Sequence, residues 1–360
     1  MGRWSGLLAA LIAVALVWID GLRDSTPWVD THWLFSYADG VVKRGLPGWV
    51  YGLFSIPMLD TDLLVTQLAL AAAVALALAL RSGQAMVGLP LVTGLLSLVA
   101  ILSGPGLVRQ LFADPGRFDA IGLALILLGA MAVDALPRRG GLGLLTVLSL
   151  VAVLVHEAFI LWVAPVGLAL WLLRHGLGRQ DLPMIGGAAL VVLAVTGWIA
   201  GRSYGDLMPF DAAKALLQAR ADFPVSDLSL MVQYRGLGEN IAYTAETAWE
   251  AGRLAHLLIG LALIAVQALL VGALIDRGWQ RALIVGLCLT PLLLFGLGQD
   301  HGRWLAMINA GLAVTAMAGL RGCKAQFGPP VLAGLAALSA VQLWLGPFGV
   351  VRVFPLAGMF

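Results

Sequence analysis

Apolar runs recur along the whole chain, near 4–19, 63–80, 86–103, 119–135, 141–155, 158–173, 183–201, 253–276, 282–297, 304–320 and 327–345. Wound as helices they reach about 22 to 36 Å, against the roughly 30 Å of a bilayer's hydrocarbon core, with 141–155 and 158–173 among the shortest. In lipid every backbone N–H and C=O must find its partner within the protein, which leaves helices and closed barrels as the only spanning structures, and runs of this length suit helices. The chain is therefore expected to be an all-α polytopic membrane protein with about 11 transmembrane helices. With 60% hydrophobic and 12% charged residues in 360, it has no room for a sizeable soluble domain, so residues 1–360 read as a single transmembrane domain. The run after Arg3 resembles a signal sequence but lacks a clean cleavage site, and it is read as a retained first helix.

Lys and Arg in short loops set orientation. If every run spans, Arg3, Arg81, Arg138, Arg139, Arg174, Arg179, Arg277, Arg281, Arg321 and Lys324 share one side. That side is expected to be cytoplasmic, with the N-terminus inside. The outer face then receives loops 20–62, 104–118 and 202–252, the turn His156-Glu157 and the turn Gln299 to Arg303. The long first and fourth outer loops carry amphipathic helical patterns, at 211–220 and 227–233 in the fourth, expected to lie on the outer surface. Any chemistry is expected to be extracytoplasmic, at the cytoplasmic (inner) membrane.

A net charge of +2, with basic residues scattered in twos, argues against a nucleic-acid partner. Two cysteines, Cys288 and Cys323, spell neither a disulfide framework nor a thiolate metal site. His156-Glu157 lacks the second histidine of a zinc-protease helix, so no metal ligands are assigned. A divalent cation, Mg or Mn, stays open as a cofactor drawn from several loops.

In an apolar chain, ionisable groups gathered at one membrane face carry weight. The first outer loop holds Asp20, Asp30, His32, Asp39, Lys43 and Arg44 among Trp33, Phe35 and Tyr37. A carboxylate near apolar walls can serve as general base for an acceptor hydroxyl, and flat aromatic faces stack on sugar rings; the bland alternative is an interfacial aromatic belt with solvated charges. His156 and Glu157 interrupt two apolar runs, either as a tight hairpin turn or between half-helices. Asp300, His301 and Arg303 crowd a glycine-flanked turn, and Arg109 and Arg117 add outward cations. Guanidinium suits phosphate oxygens, although anionic lipid headgroups attract the same groups.

The stretch Asp30-Thr31-His32-Trp33-Leu34-Phe35-Ser36-Tyr37 resembles the first external loop of C-type, integral-membrane glycosyltransferases, and its continuation to Gly45 is similar to uncharacterised polytopic proteins of bacterial polysaccharide synthesis. The resemblance implies that Asp30 is the catalytic or metal-binding carboxylate, with Asp20 or Asp39 as alternatives. It implies a polyprenyl-phosphate-linked sugar donor and a lipid-linked or glycan acceptor, with His156 and Glu157 joining Asp30 in catalysis. His32, Trp33, Tyr37, Asp39, Lys43, Arg44, Arg109, Arg117, Asp300, His301 and Arg303 would then bind substrate. The chain lacks the adjacent Asp-Glu pair of protein mannosyltransferases and a soluble C-terminal domain, which turns the expectation from protein acceptors towards lipid or glycan. Polysaccharide polymerases of the Wzy type share the layout but rely on outward arginines. Two other classes stand beside these: a transporter or flippase of lipid-linked or anionic substrates, and a membrane acyltransferase with His156 as base.

Overall fold

The computed structural model describes residues 4–20, 24–54, 57–247, 251–275, 278–298, 300–322 and 328–345. Among them the protein is helical, with no strand beyond one isolated bridge between Met58 and Ala221. From the N-terminus, α1 (Ser5–Asp20) leads to α2 (Pro27–His32) and α3 (Gly45–Gly52), both short and in the segment expected to form the first outer loop. Next come α4 (Asp60–Ala85), α5 (Leu91–Leu102), the short α6 (Val108–Ala113), α7 (Asp119–Ala135), α8 (Arg138–Val155), α9 (Val163–His175) and α10 (Leu182–Ala200). A second outer segment contributes α11 (Phe210–Gln218), α12 (Asp227–Tyr234) and α13 (Leu237–Thr247), before α14 (Ala251–Leu274), α15 (Gln280–Cys288), α16 (His301–Gly322) and α17 (Pro329–Leu345).

Among the described residues six stretches are long and apolar enough to cross a membrane: Asp60–Ala85, Arg138–Val155, Glu157–His175, Arg179–Ala200, Leu257–Leu274 and His301–Leu320. Shorter apolar helices occur at Ser5–Trp18, Leu91–Leu102 and Pro329–Gln342. The run at 282–297 departs from a single spanning helix. α15 stops at Cys288 and a 3-10 stretch, Thr290–Gly296, follows with Pro291 in its first turn. A proline has no N–H to donate to the preceding α-helical turn, which accounts for the break.

Helix α16 is the axis of the bundle. Its apolar window is 94% buried, against 11% for the window of α10, and small and apolar residues such as Ala306, Ile308, Ala310, Leu312, Ala313 and Val314 occur on all its faces, as in a helix packed on every side. It packs against α4, α7, α9, α14 and α15, so whatever its first turn carries is held at the centre of one end of the bundle.

At that end the outer connections meet. Trp33 Nε1 donates to Gly116 O at 2.7 Å, Ser226 N donates to Thr31 Oγ1 at 2.8 Å, and Tyr37 Oη donates to Leu154 O at 3.0 Å. Two ion pairs lie among groups the orientation rule assigns to the opposite side, Arg81 with Asp134 at 2.7 Å and Arg138 with Asp181. Helices α8 and α9 pack together as a hairpin around His156. α11 and α12 form where the pattern placed them, but they pack on protein. Ala213, Leu217 and Leu230 are fully buried, and Ser229 Oγ donates to Trp28 O at 2.6 Å, so this segment folds over α2.

Candidate functional site

Three guanidiniums converge at this end of the bundle, each fastened by its own carboxylate. Arg303, in the first turn of α16, donates from Nε and Nη2 to both oxygens of Asp119, which opens α7, at 2.7 to 2.9 Å. Arg117 Nε donates to Asp114 Oδ2 at 2.7 Å across the loop between α6 and α7. Arg44 Nη2 donates to Glu157 Oε1 at 2.8 Å, joining the first outer loop to the α8–α9 turn. Arg44 is the only non-glycine residue with positive φ among the described residues, at 61°. A left-handed backbone at a side chain of this size persists only where surrounding contacts hold it, and here the Glu157 pairing does so.

The three arginines line one small cavity of about 10 Å3, open to solvent, together with Trp28, His32, Phe118 and His156. Each has spent part of its donor set on its carboxylate. Arg117 also stacks on the Trp28 ring, its guanidinium carbon 4.5 Å from the centroid, which fixes its plane.

Both imidazoles are buried. Ala158 N donates to His156 Nδ1 at 3.1 Å, so a neutral His156 carries its proton on Nε2. That Nε2 stands 3.5 Å from Arg303 Nη1. Two N–H donors so placed do not bond each other; both suit one shared acceptor. His32 has no hydrogen-bond partner on either ring nitrogen, although it is 94% buried against Trp28, Phe35 and Phe118. Burial, reinforced by the nearby arginines, holds both imidazoles well below the usual histidine range, so they are neutral at pH 7. An unpartnered buried polar side chain is costly, and beside these arginines an N–H of His32 suits a water or an anion as acceptor.

A fourth carboxylate stands apart. Asp300 Oδ2 accepts from Arg117 Nη1 at 3.3 Å and Arg303 Nη1 at 3.5 Å, longer than the anchoring pairs. Its side chain is 33% exposed, against 12% for Asp114 and Asp119. Burial acts to raise its pKa, and Arg117 and Arg303 outweigh burial to hold it below the ordinary carboxylate range.

The residues singled out in the sequence divide accordingly. His32, Arg44, Arg117, His156 and Arg303 line the cavity, and Glu157 and Asp300 bond to its arginines. The others lie elsewhere. Asp30 is buried and accepts from Gln67 Nε2 and Ser25 Oγ, both at 2.9 Å; burial raises its pKa, against these two hydrogen bonds. Asp39 is bound by Arg220 and by Tyr204 Oη, tying the first outer segment to the second. Lys43 Nζ donates to Val232 O and Arg235 O at 3.2 Å, closing the C-terminal end of α12. Burial pushes the Tyr37 hydroxyl up to about 12. Arg109 Nη1 donates to Gln342 O of α17, and His301 Nε2 to Phe295 O. Asp20 ends α1, and its side chain lies outside the described residues, as does Gln299.

Sequence reasoning passed over the anchors Asp114 and Asp119. Their signal was present in Asp114-Pro115-Gly116-Arg117-Phe118-Asp119, three ionisable groups in six residues at the mouth of an apolar run. Among the described residues no group of three or more His, Cys, Asp and Glu side chains is arranged to hold a metal ion. Comparison with protein-family models, curated proteins and solved structures finds no match to this chain.

Proposed function

We propose that this protein is an integral-membrane glycosyltransferase that takes sugar from a polyprenyl-phosphate carrier at the extracytoplasmic face of the cytoplasmic membrane and passes it to a lipid-linked or glycan acceptor. The observation that carries the reading is the convergence of Arg44, Arg117 and Arg303 on one cavity with two neutral imidazoles, one of them entirely unpartnered. The carrier's phosphate binds the free guanidinium edges, with His156 Nε2–H and an N–H of His32 as further donors. With four carboxylates and three guanidiniums, the cluster attracts an anion through aimed N–H groups rather than surplus charge.

Asp300 then has two roles. Its long contacts to Arg117 and Arg303 occupy the place a phosphate needs, and the phosphate displaces it. Freed, it takes the proton of the acceptor hydroxyl. That oxygen bonds to the anomeric carbon as the bond from that carbon to the phosphate oxygen breaks, leaving the electron pair on the phosphate among the arginines. Donors aimed at developing charge are often the largest catalytic term.

Reliance on arginines is the property of the Wzy-type polymerases, and the position of Asp30, away from the residues lining the cavity, favours that version over one driven by a first-loop carboxylate. The test is transfer of radiolabelled sugar from prenyl phosphate to glycan by the purified protein in nanodiscs. Arg117→Ala and Arg303→Ala are expected to cut transfer by about 10²- to 10³-fold. Vesicle uptake of the carrier with no transferred product would replace this reading with transport.

A further inference from the structure

A second cleft adjoins the arginine cavity and has the opposite hydrogen-bonding character. It is a narrow space open to solvent, with a volume of about 10 Å3, and Gly116 and Arg117 line both spaces. Its other walls include Gln67, Gln110, Asp114, Asp119 and Trp33. The first cavity presents donors from arginine and histidine. The second presents acceptors: Oε1 of Gln67 and Oε1 of Gln110 are buried without a partner, on residues only 2% and 5% exposed.

The amide of Gln67 is oriented by its neighbours. Its Nε2 donates to Asp30 Oδ1 while Ser25 Oγ donates to Asp30 Oδ2, so both carboxylate oxygens are engaged and the carbonyl end of the amide is the end left over. Gly116, at φ +85°, passes so close that a Cβ there would run into that amide. The Gly116 carbonyl is held by the Trp33 indole N–H at 2.7 Å. Two orphaned acceptors on different helices, beside a phosphate-binding cavity, ask for donors that carry no charge.

We propose that this cleft receives hydroxyl groups of the sugar attached to the phosphate, with Gln67 and Gln110 as its acceptors and Asp30 as the positioning residue that orients Gln67. The inference rests on the phosphate reading above and adds to it where the sugar lies. One ligand then satisfies both spaces: phosphate oxygens accept from Arg44, Arg117 and Arg303, and ring hydroxyls donate to the two glutamines. It also gives Asp30 a role other than that of proton acceptor.

The experiment compares binding of two probes to the full-length protein in nanodiscs, a sugar-free prenyl phosphate and the same lipid carrying glucose, galactose or N-acetylglucosamine. Wild type is expected to bind at least one sugar-bearing probe more tightly than the sugar-free one. Gln67→Leu and Gln110→Leu are each expected to reduce that preference about 3- to 10-fold, the usual worth of one neutral hydrogen bond. Binding of the sugar-free probe should be unchanged. Gln110→Leu also guards against misfolding, because it removes a buried carbonyl oxygen that has no partner, so the unfolding midpoint should not fall while discrimination does. Equal loss for both probes, or discrimination untouched in both variants, overturns the inference, as does a wild type that binds all probes alike. A wild type that binds no probe overturns the phosphate reading itself.

Discussion

Arg303 grips both oxygens of Asp119 through Nε and Nη2, and that single pairing turns its remaining Nη1 towards His156 and Asp300. The pair links the first turn of the central helix to the first turn of α7. Removing one partner leaves the other charge buried alone, so Asp119→Ala is expected to destabilise the fold by about 3 to 5 kcal/mol. Arg303→Lys keeps the charge but cannot make the two-point contact. Unfolding midpoints in detergent and titration with inorganic pyrophosphate check both. A stable Asp119→Ala variant with unchanged affinity would remove this pair from the site.

Asp300 competes for the arginines that a phosphate needs. Asp300→Asn is therefore expected to tighten binding of the sugar-free prenyl phosphate by about tenfold, the order of a screened charge interaction at a partly exposed site. In the proposed mechanism the same carboxylate takes the acceptor's proton, so transfer by this variant should fall by roughly 10²- to 10⁴-fold. Tighter binding with slower turnover is a signature that simple damage to the site does not produce. Weaker binding in the Asn variant would sink the exchange model.

Asp30 separates the two catalytic accounts. Asn at this position keeps an oxygen to accept from Gln67 Nε2, so Asp30→Asn should retain transfer within about tenfold if the residue only orients Gln67. Asp30→Leu strips away that acceptor and should lose sugar discrimination. A fall of about 10³-fold in the Asn variant, measured as transfer at saturating donor, would return the proton-accepting role to Asp30.

Acid sensitivity follows from the two buried imidazoles. Burial lowers their pKa values from 6.5, so the folded protein resists protons that the unfolded chain accepts. Above about pH 6.5 both states are neutral at these positions and nothing is lost. Below it stability should decline by up to about 1.4 kcal/mol per pH unit for each group, until the pH reaches the folded-state values. His32→Gln should flatten part of that slope between pH 6.5 and 5 in thermal unfolding. An unchanged slope would mean that His32 is solvated.

Membrane class and helical architecture were legible in the runs themselves, because length and apolarity are local properties. The grouping of these loops was legible too, since assigning His32, Arg44, Arg117, His156 and Arg303 to one face brings together residues the structure unites in one cavity. Lys43, Asp39 and Arg109 carry the same sequence signal but serve the fold, through Val232 and Arg235, Arg220, and Gln342 respectively. A charge at a membrane face reads alike whether it fastens a helix end or meets a ligand.

Composition and spacing alone determined that this chain is helical, with runs long and apolar enough to cross a membrane. Only the tertiary structure decided which charges form pairs, which carboxylate is left exposed, and that Asp30 faces Gln67 instead of the arginines. The reason is physical: a helical run is specified within some twenty residues, whereas the partner of Arg303 lies 184 positions away and that of Arg44 lies 113 away. Those distances close only when α16 takes the centre of the bundle and the outer segments fold over its first turn.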